Sequence, residues 1–306
     1  MTMEQHHHDT ATSPGAGPPQ AGLDPLGGSA AVRRRRGVVI FPAYATPLDK
    51  FGWYALRAVC LGVLGFLLLP ILVIIPLSFS DSSFLVYPIP AWSLKWYHNL
   101  FSSAEWGRAA KNSFIVAPAA TLIATVLGTM AAVGLSRTQF AFKGLLMSVL
   151  IAPMVVPIVV VGVGTYLFFA NIGLGDTYTA LILVHAALGA PFVLTTVLAT
   201  LQGFDHNLVR ASLGLGASPL ETFFRVTLPV IAPGVISGAL FAFATSFDEV
   251  VVALFLAGPE QLTLPRQMFN GIRENISPTI AAVATLLILF TTSLLLVLEW
   301  LRGRRR

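Results

Sequence analysis

Arg210-Ala211-Ser212-Leu213-Gly214-Leu215-Gly216-Ala217-Ser218-Pro219, followed by Leu220-Glu221-Thr222-Phe223-Phe224-Arg225-Val226-Thr227-Leu228-Pro229, lies between two long apolar runs. The stretch reads as helix, turn, helix. Asp205 or Asn207, just upstream, can cap a first short helix, and Gly216 offers a left-handed stop. Ser218-Pro219-Leu220-Glu221 opens a second helix, with Ser at the N-cap, Pro at the first helical position and an acid completing a capping box. Two short helices of this kind predict a docking knob, whereas an ordinary connector hardly needs so specific a turn.

The flanking runs set the class. A membrane span needs roughly 20 predominantly apolar residues. Uncharged runs of that length cover Ala58–Ser80, Asn112–Ser136, Gly144–Gly175, Thr177–Phe204, Val226–Phe247 and Asn275–Leu298. They are too long for strands and lack period-2 alternation. The predicted fold is therefore an all-α membrane protein of six transmembrane helices. The 306 residues are 55% hydrophobic and 11% charged, against about 25% charged in soluble domains. With a mean hydropathy of +0.77, a soluble reading fails.

Charge sets the orientation. With both termini in the cytoplasm, 14 of the 19 Lys and Arg fall inside, leaving Lys95, Arg108, Lys111, Arg266 and Arg273 outside. The positive-inside rule selects that topology. The basic balance is thus a topology signal, and no nucleic-acid partner is expected. One cysteine, Cys60, excludes an intrachain disulfide framework and a cysteine metal site; no metal or other cofactor is expected.

Residues 1–50 are a different material. Pro, Gly, Ala and Ser dominate Thr10–Ala31, which predicts a disordered cytoplasmic tail. His6–His8 in such a tail bind metal weakly. Arg33–Arg36 before Val38–Phe41 superficially resembles a twin-arginine signal, but the apolar run stops at Pro42 and is too short. The expected organisation continues with a first span and outer loop over 51–111, a core over 112–301 and a basic end over 302–306. In the first outer loop Trp92, Trp96, Tyr97, Phe101 and Trp106 crowd together, which reads as an interfacial helix seating the loop at the membrane boundary, with a ligand-stacking box as the alternative. In the second, Leu264, Met268 and Ile272 recur every four residues, with Arg266, Asn270, Arg273 and Glu274 off that line. This predicts an amphipathic surface helix whose polar face is solvated or meets a soluble partner.

The inner loop carries a resemblance. Arg210-Ala211-Ser212, Gly216 and Val226-Thr227-Leu228-Pro229, with Gly216-Ala217-Ser218-Pro219 between them and Pro233-Gly234 after, resemble the motif of inner-membrane permeases of ABC importers. That motif begins Glu-Ala-Ala; here Arg210 replaces the Glu and Ser212 the second Ala. The resemblance covers about Asn112–Leu301. It implies the type I importer permease fold, with this loop as a cytoplasmic coupling helix seated in a groove of an ATPase subunit. Ala211, Gly216 and Ala217 would permit close approach there, and Arg210 would face an acid on the ATPase. It further implies an ATPase pair below, a second permease subunit alongside (a different chain, or a second copy of this one) and a periplasmic solute-binding protein above. The chain has no Gly-x-x-x-x-Gly-Lys-Ser/Thr of its own, so ATP is expected to be handled by another subunit.

Within the fifth run, Ser246-Phe247-Asp248-Glu249-Val250-Val251-Val252 is unusual, because acids are costly in a membrane. Asp248 lies 19 residues beyond Pro229, roughly 28 Å along an unbroken helix, toward the outer half. Adjacent residues on a helix point about 100° apart, so one acid is expected on a pathway and the other against a partner helix, or both at a hydrated interface. Ser246, Asp248 and Glu249 are the candidate pathway residues. This stretch, Gly258-Pro259, Thr263-Leu264-Pro265 and Ile276-Ser277-Pro278 resemble spermidine/putrescine importer permeases. Permeases for ferric iron, sulfate, thiamine, aminobutyrate or phosphonates share much of that scaffold. His185 and Tyr178 read as hydrogen-bonded structural groups or as proton-relay groups. Gly162-Val163-Gly164 and the Gly234/Gly238 pair read as packing glycines, and Pro153, Pro157 and Pro191 as kinks. A self-contained secondary transporter would need an internal repeat, and a membrane enzyme a catalytic set that His185, Asp248 and Glu249 do not make.

Overall fold

Small residues decide where the long helices meet. The computed structural model describes residues 33–35, 38–40, 46–138, 140–274 and 276–303. The expectations for Thr10–Ala31, His6–His8 and Arg304–Arg306 lie outside them. The chain forms two units, Met1–Leu68 and Leu69–Arg306. The first unit holds an antiparallel hairpin, β1 (Arg33–Arg35) with β2 (Val38–Ile40), and the start of helix α1 (Pro47–Leu77). Thr46 and Asp49 cap α1 reciprocally: the Asp49 amide donates to the Thr46 hydroxyl (3.2 Å) and the Thr46 amide to the Asp49 carboxylate (2.9 Å). The hairpin and the first turn of α1 lie within residues 1–50.

The second unit contains α2 (Lys95–Ser102), α3 (Ala104–Arg137), α4 (Lys143–Val155), α5 (Ile158–Asn171), α6 (Tyr178–Leu201), α7 (Asn207–Gly214), α8 (Pro219–Thr222), α9 (Leu228–Phe247), α10 (Val251–Leu256), α11 (Leu264–Glu274) and α12 (Pro278–Gly303). Its centre is the packing of α3, α6 and α9. Ala124, Val193, Val197, Ile231 and Ala242 are buried where they meet. A methyl group on Gly238 would lie 2.6 Å from the Val193 Cα, and one on Gly128 2.7 Å from the Val193 Cβ. Gly234 meets Thr200 in the same way. The glycine spacing in α9 is therefore a contact with α6, made by van der Waals packing because lipid supplies no hydrophobic drive between helices.

Among the described residues, four helical segments are long and apolar enough to cross a membrane: Pro47–Leu77, Ala104–Arg137, Tyr178–Leu201 and Pro219–Phe247. The third expected span is not one kinked helix. It is the pair α4 and α5, bent by 101°. The cause is local: Pro157 pushes Val156 out of the helical region, to φ −68° and ψ 133°. Pro153 and Pro191 sit inside α4 and α6, which continue through them. The sixth expected span is α12, whose apolar part Pro278–Leu294 is a shorter helix. The expected count of six is thus reached only by counting a bent pair and a short helix.

The glycine contacts predict unequal tolerance. Gly238→Val should destabilise the protein by about 1–3 kcal/mol through overpacking. Gly164→Ala, with nothing within 4 Å of the added carbon, should leave it as it is. Thermal unfolding midpoints of the two purified variants in one detergent check this.

Candidate functional site

The knob between α6 and α9 is built by local hydrogen bonds. The Asn207 amide donates to Asp205 Oδ1 at 2.9 Å, so Asp205, and not Asn207, closes the start of α7. Three amides end that helix: Leu215 to the Ala211 carbonyl (3.0 Å), Gly216 to Leu213 (3.0 Å) and Ala217 to Ser212 (3.2 Å). Gly216 has φ +88°, a conformation a side chain resists. The Glu221 amide donates to Ser218 Oγ at 3.2 Å, and Pro219 occupies the first helical position. The return half of the capping box is replaced by a 2.9 Å ion pair from Arg225 to Glu221.

The expected second short helix is not separate. α8 passes through a π-helical turn, Phe223–Thr227, directly into α9, so Pro219–Phe247 is a single 29-residue segment. The Ser212 and Thr222 hydroxyls share a 3.0 Å hydrogen bond that ties α7 to this rod. Around the turn the large apolar side chains point outward: Leu215 is 90% exposed, Leu220 70% and Phe224 57%. Arg210, Ala211 and Gly216 are exposed beside them, while Ser212 and Ala217 are half-buried. Leu228 is half-buried and Pro229 exposed where the rod enters α9.

At the other end of α9 the sequence expectation changes. Asp248 and Glu249 do not share a helix. α9 stops at Phe247, Asp248 caps it, and α10 starts at Val251. Glu249 is buried, and its carboxylate accepts from the amides of Val251 (3.0 Å), Val252 (2.8 Å) and Ala253 (3.3 Å). It satisfies the amides that a helix start leaves open and lies at the positive end of the helix dipole. Asp248 is exposed. Ser246 is buried, and its hydroxyl shares a 2.8 Å hydrogen bond with His185 Nδ1. Of the three candidate pathway residues, then, two have their oxygens engaged inside the protein and Asp248 faces outward.

The outer loops are stitched to the spans. Asn112, 3% exposed on α3, donates to the carbonyls of Glu260 (2.8 Å) and Leu262 (2.9 Å). Tyr178 donates to Asn112 Oδ1 at 2.7 Å, which gives it a structural anchor. Ser113 accepts from the Leu264 amide at 2.8 Å. Leu264 and Met268 of α11 pack inward, but Ile272 at the end of that stripe is 51% exposed. Arg266, expected on a polar outer face, folds back instead. It donates to the Ala253 carbonyl at 2.8 Å and to the Ala257 carbonyl, holding the C-terminal end of α10. Burial lowers its pKa from the ordinary guanidinium value, and the charge of Asp176 opposes that shift. Of the clustered aromatics, Trp96 donates to the Ser80 carbonyl (2.8 Å) and Tyr97 shares a 2.7 Å hydrogen bond with Ser78, while Trp92 and Phe101 are exposed. The roles of Asn112 and Ser113 had no sequence signal, because each reaches a backbone group about 150 residues away, and that of Arg266 had none because its side chain turns back from the polar face of α11.

Known proteins similar to this chain in sequence and fold agree on one class. The family model described as the binding-protein-dependent transport system inner membrane component matches residues 124–306. The putrescine transport system permease protein PotI of Escherichia coli (strain K12) is 35% identical over 230 residues, covering 73% of this chain and 82% of that protein. The spermidine/putrescine transport system permease protein PotC of Haemophilus influenzae is 30% identical over 236 residues, 77% of this chain and 91% of PotC. In fold, the chain is similar to a bacterial ABC transporter involved in the import of the acidic polysaccharide alginate, with a TM-score of 0.65 at 15% identity over 86% of this chain and 99% of the other. A matched family model over most of the chain, relatives of this identity and an all-helical membrane fold lead to one assignment: the chain belongs to the binding-protein-dependent transport system inner membrane components.

Proposed function

We propose that the chain is the permease subunit of an ATP-driven ABC importer for polyamines of the spermidine and putrescine kind, working by alternating access. The observation that carries the solute class is its similarity to the PotI and PotC permeases over about three-quarters of its length. Asp248 supports it physically: an exposed carboxylate at the end of α9 suits a polycation. Ser246 and Glu249 act one step back, by holding the break beside it.

The knob is the ATPase contact in this reading. Exposed Leu215, Leu220 and Phe224 form the kind of apolar surface that a partner covers. Ala211, Gly216 and Ala217 keep its tip low, Ser218 and Pro219 fix the turn, and Arg210 stands exposed where an acid of the partner can meet it. Closure of an ATPase pair pushes α7. The Ser212–Thr222 bond passes the push to the rod Pro219–Phe247, whose far end is the break at Asp248. Leu228 and Pro229 lie where the rod enters α9. Such a transporter sits in the bacterial inner membrane with both termini cytoplasmic. A second, different permease chain completes the pathway and a periplasmic binding protein delivers solute to α11 and the outer loops.

Uptake of radiolabelled putrescine and spermidine in cells expressing the whole transporter should disappear when this chain alone is deleted; unchanged uptake in a strain without another polyamine system would send the solute assignment elsewhere. Gly216→Val should keep membrane levels normal yet cut uptake about ten-fold or more, because the left-handed turn costs a branched residue roughly 1–2 kcal/mol. Wild-type uptake by that variant would remove the knob from the coupling path. Asp248→Asn should raise the uptake KM for spermidine about ten-fold, the value of one charge-assisted contact, while leaving solute-stimulated ATP hydrolysis at saturation near wild type. Equal loss of both would make Asp248 a structural cap.

A further inference from the structure

His185 is the one fully buried imidazole of α6, and it bridges both sides of the break in the fifth span. Its Nδ1 shares the 2.8 Å hydrogen bond with Ser246, one residue before α9 ends. Its Nε2 faces Glu249 Oε2, on the α10 side, at 4.0 Å. That is too far for a hydrogen bond, and Nε2 has no other partner. The tautomer follows from the surroundings. With a carboxylate facing Nε2, the favoured tautomer carries its proton there, and Nδ1 then accepts from the serine hydroxyl. An N–H donor in a dry site, aimed at a carboxylate about 1 Å beyond reach, is an arrangement with a second position available to it.

The two sides of the break belong to different packing groups. α9 packs on α3 and α6, whereas α10 packs chiefly on α5, the helix turned by the 101° bend. Val184 and Leu188, on either side of His185 in α6, lie in the same buried cluster as Val252 and Ala253 of α10. The imidazole therefore sits on α6, which packs against both segments, between Ser246 of α9 and Glu249 at the start of α10.

We propose that His185 is a positioning residue of the transport cycle: a pin from α6 that holds α9 through Ser246 in the state described here, and takes up Glu249 through Nε2–H when the α9–α10 break closes. It acts on Asp248, the exposed residue within the break, by setting which way the break is held. The inference rests on the importer reading but not on the identity of the solute.

Replacement by amides separates the two nitrogens. The His185→Asn change would place an amide near the Nδ1 position and nothing at Nε2; His185→Gln would extend to the Nε2 position and leave Nδ1 empty. The measurement is ATP hydrolysis by the complete reconstituted transporter, with and without its binding protein carrying the solute it holds on purification. The readout thus survives a wrong solute assignment, which radiolabelled uptake by the wild type tests separately. His185→Asn should assemble with a wild-type thermal midpoint yet lose at least about ten-fold of the binding-protein stimulation, and His185→Gln should keep it within about three-fold. Full stimulation in His185→Asn, or equal loss in both variants at unchanged thermal midpoints, would overturn the proposal. If His185→Asn does not assemble, Ser246→Ala carries the test. That change leaves Nε2 and Glu249 in place, as His185→Gln does, so the ratio of stimulated to basal hydrolysis should stay within about three-fold of wild type, and a loss of ten-fold or more would overturn the pin.

Discussion

A helix of six residues, Val251–Leu256, is held at both ends by charge. Glu249 takes the amides at its start and Arg266 takes the carbonyls at its finish. Each sign lies at the dipole end it stabilises. The arrangement answers a constraint that governs any chain in lipid: backbone polar groups have no water to turn to, so every break in a helix must be satisfied by the protein itself. A span interrupted at Asp248–Val250 is tolerated only because two side chains stand in for the missing helical bonds. Arg266 comes from α11, so the same contact fixes where the outer helix sits.

The bend between α4 and α5 belongs to the same scheme. Gly162 of α5 lies where a methyl group would meet the Phe255 ring of α10 at 2.6 Å. Close packing of α5 on α10 therefore needs the glycine, and the turn at Pro157 brings that glycine into place. On the other side α9 is pressed against α6 by Gly234 and Gly238. The result is a continuous rod from the knob to the break, 29 residues or roughly 43 Å of helix, beside a short segment packed on a different neighbour.

Much of this was legible in the residues, and what was legible is local. Ser218, Pro219 and Gly216 announce their turn because capping and left-handed geometry depend on a few neighbouring residues. The long apolar runs announce spans because hydropathy needs no tertiary context. Pro157 signalled a disturbance but not its size, since a proline frees the chain to bend and packing of α5 sets the angle. Glu249 was misread as a residue of a continuous helix. An acid looks the same in sequence whether it faces a pathway or caps the next helix, and only the position of Val251–Ala253 decides. Arg266 fell on the polar side of the α11 pattern, yet its side chain is long enough to turn back to α10, which a helical wheel does not register.

Adjacent acids with opposite fates also bear on solute choice. Both Glu249 oxygens accept backbone hydrogen bonds, so a passing cation would have to displace amides that have no other acceptor in a dry site; the carboxylate is taken up by structure. Asp248 has no such commitment, and exposure leaves it free to meet a positive group. A single carboxylate of this kind favours cations over anions but does little to tell one amine from another, because discrimination of length requires a second fixed contact at a defined distance. In the importer reading, that measuring falls to the binding protein, while this chain supplies a gate with a sign.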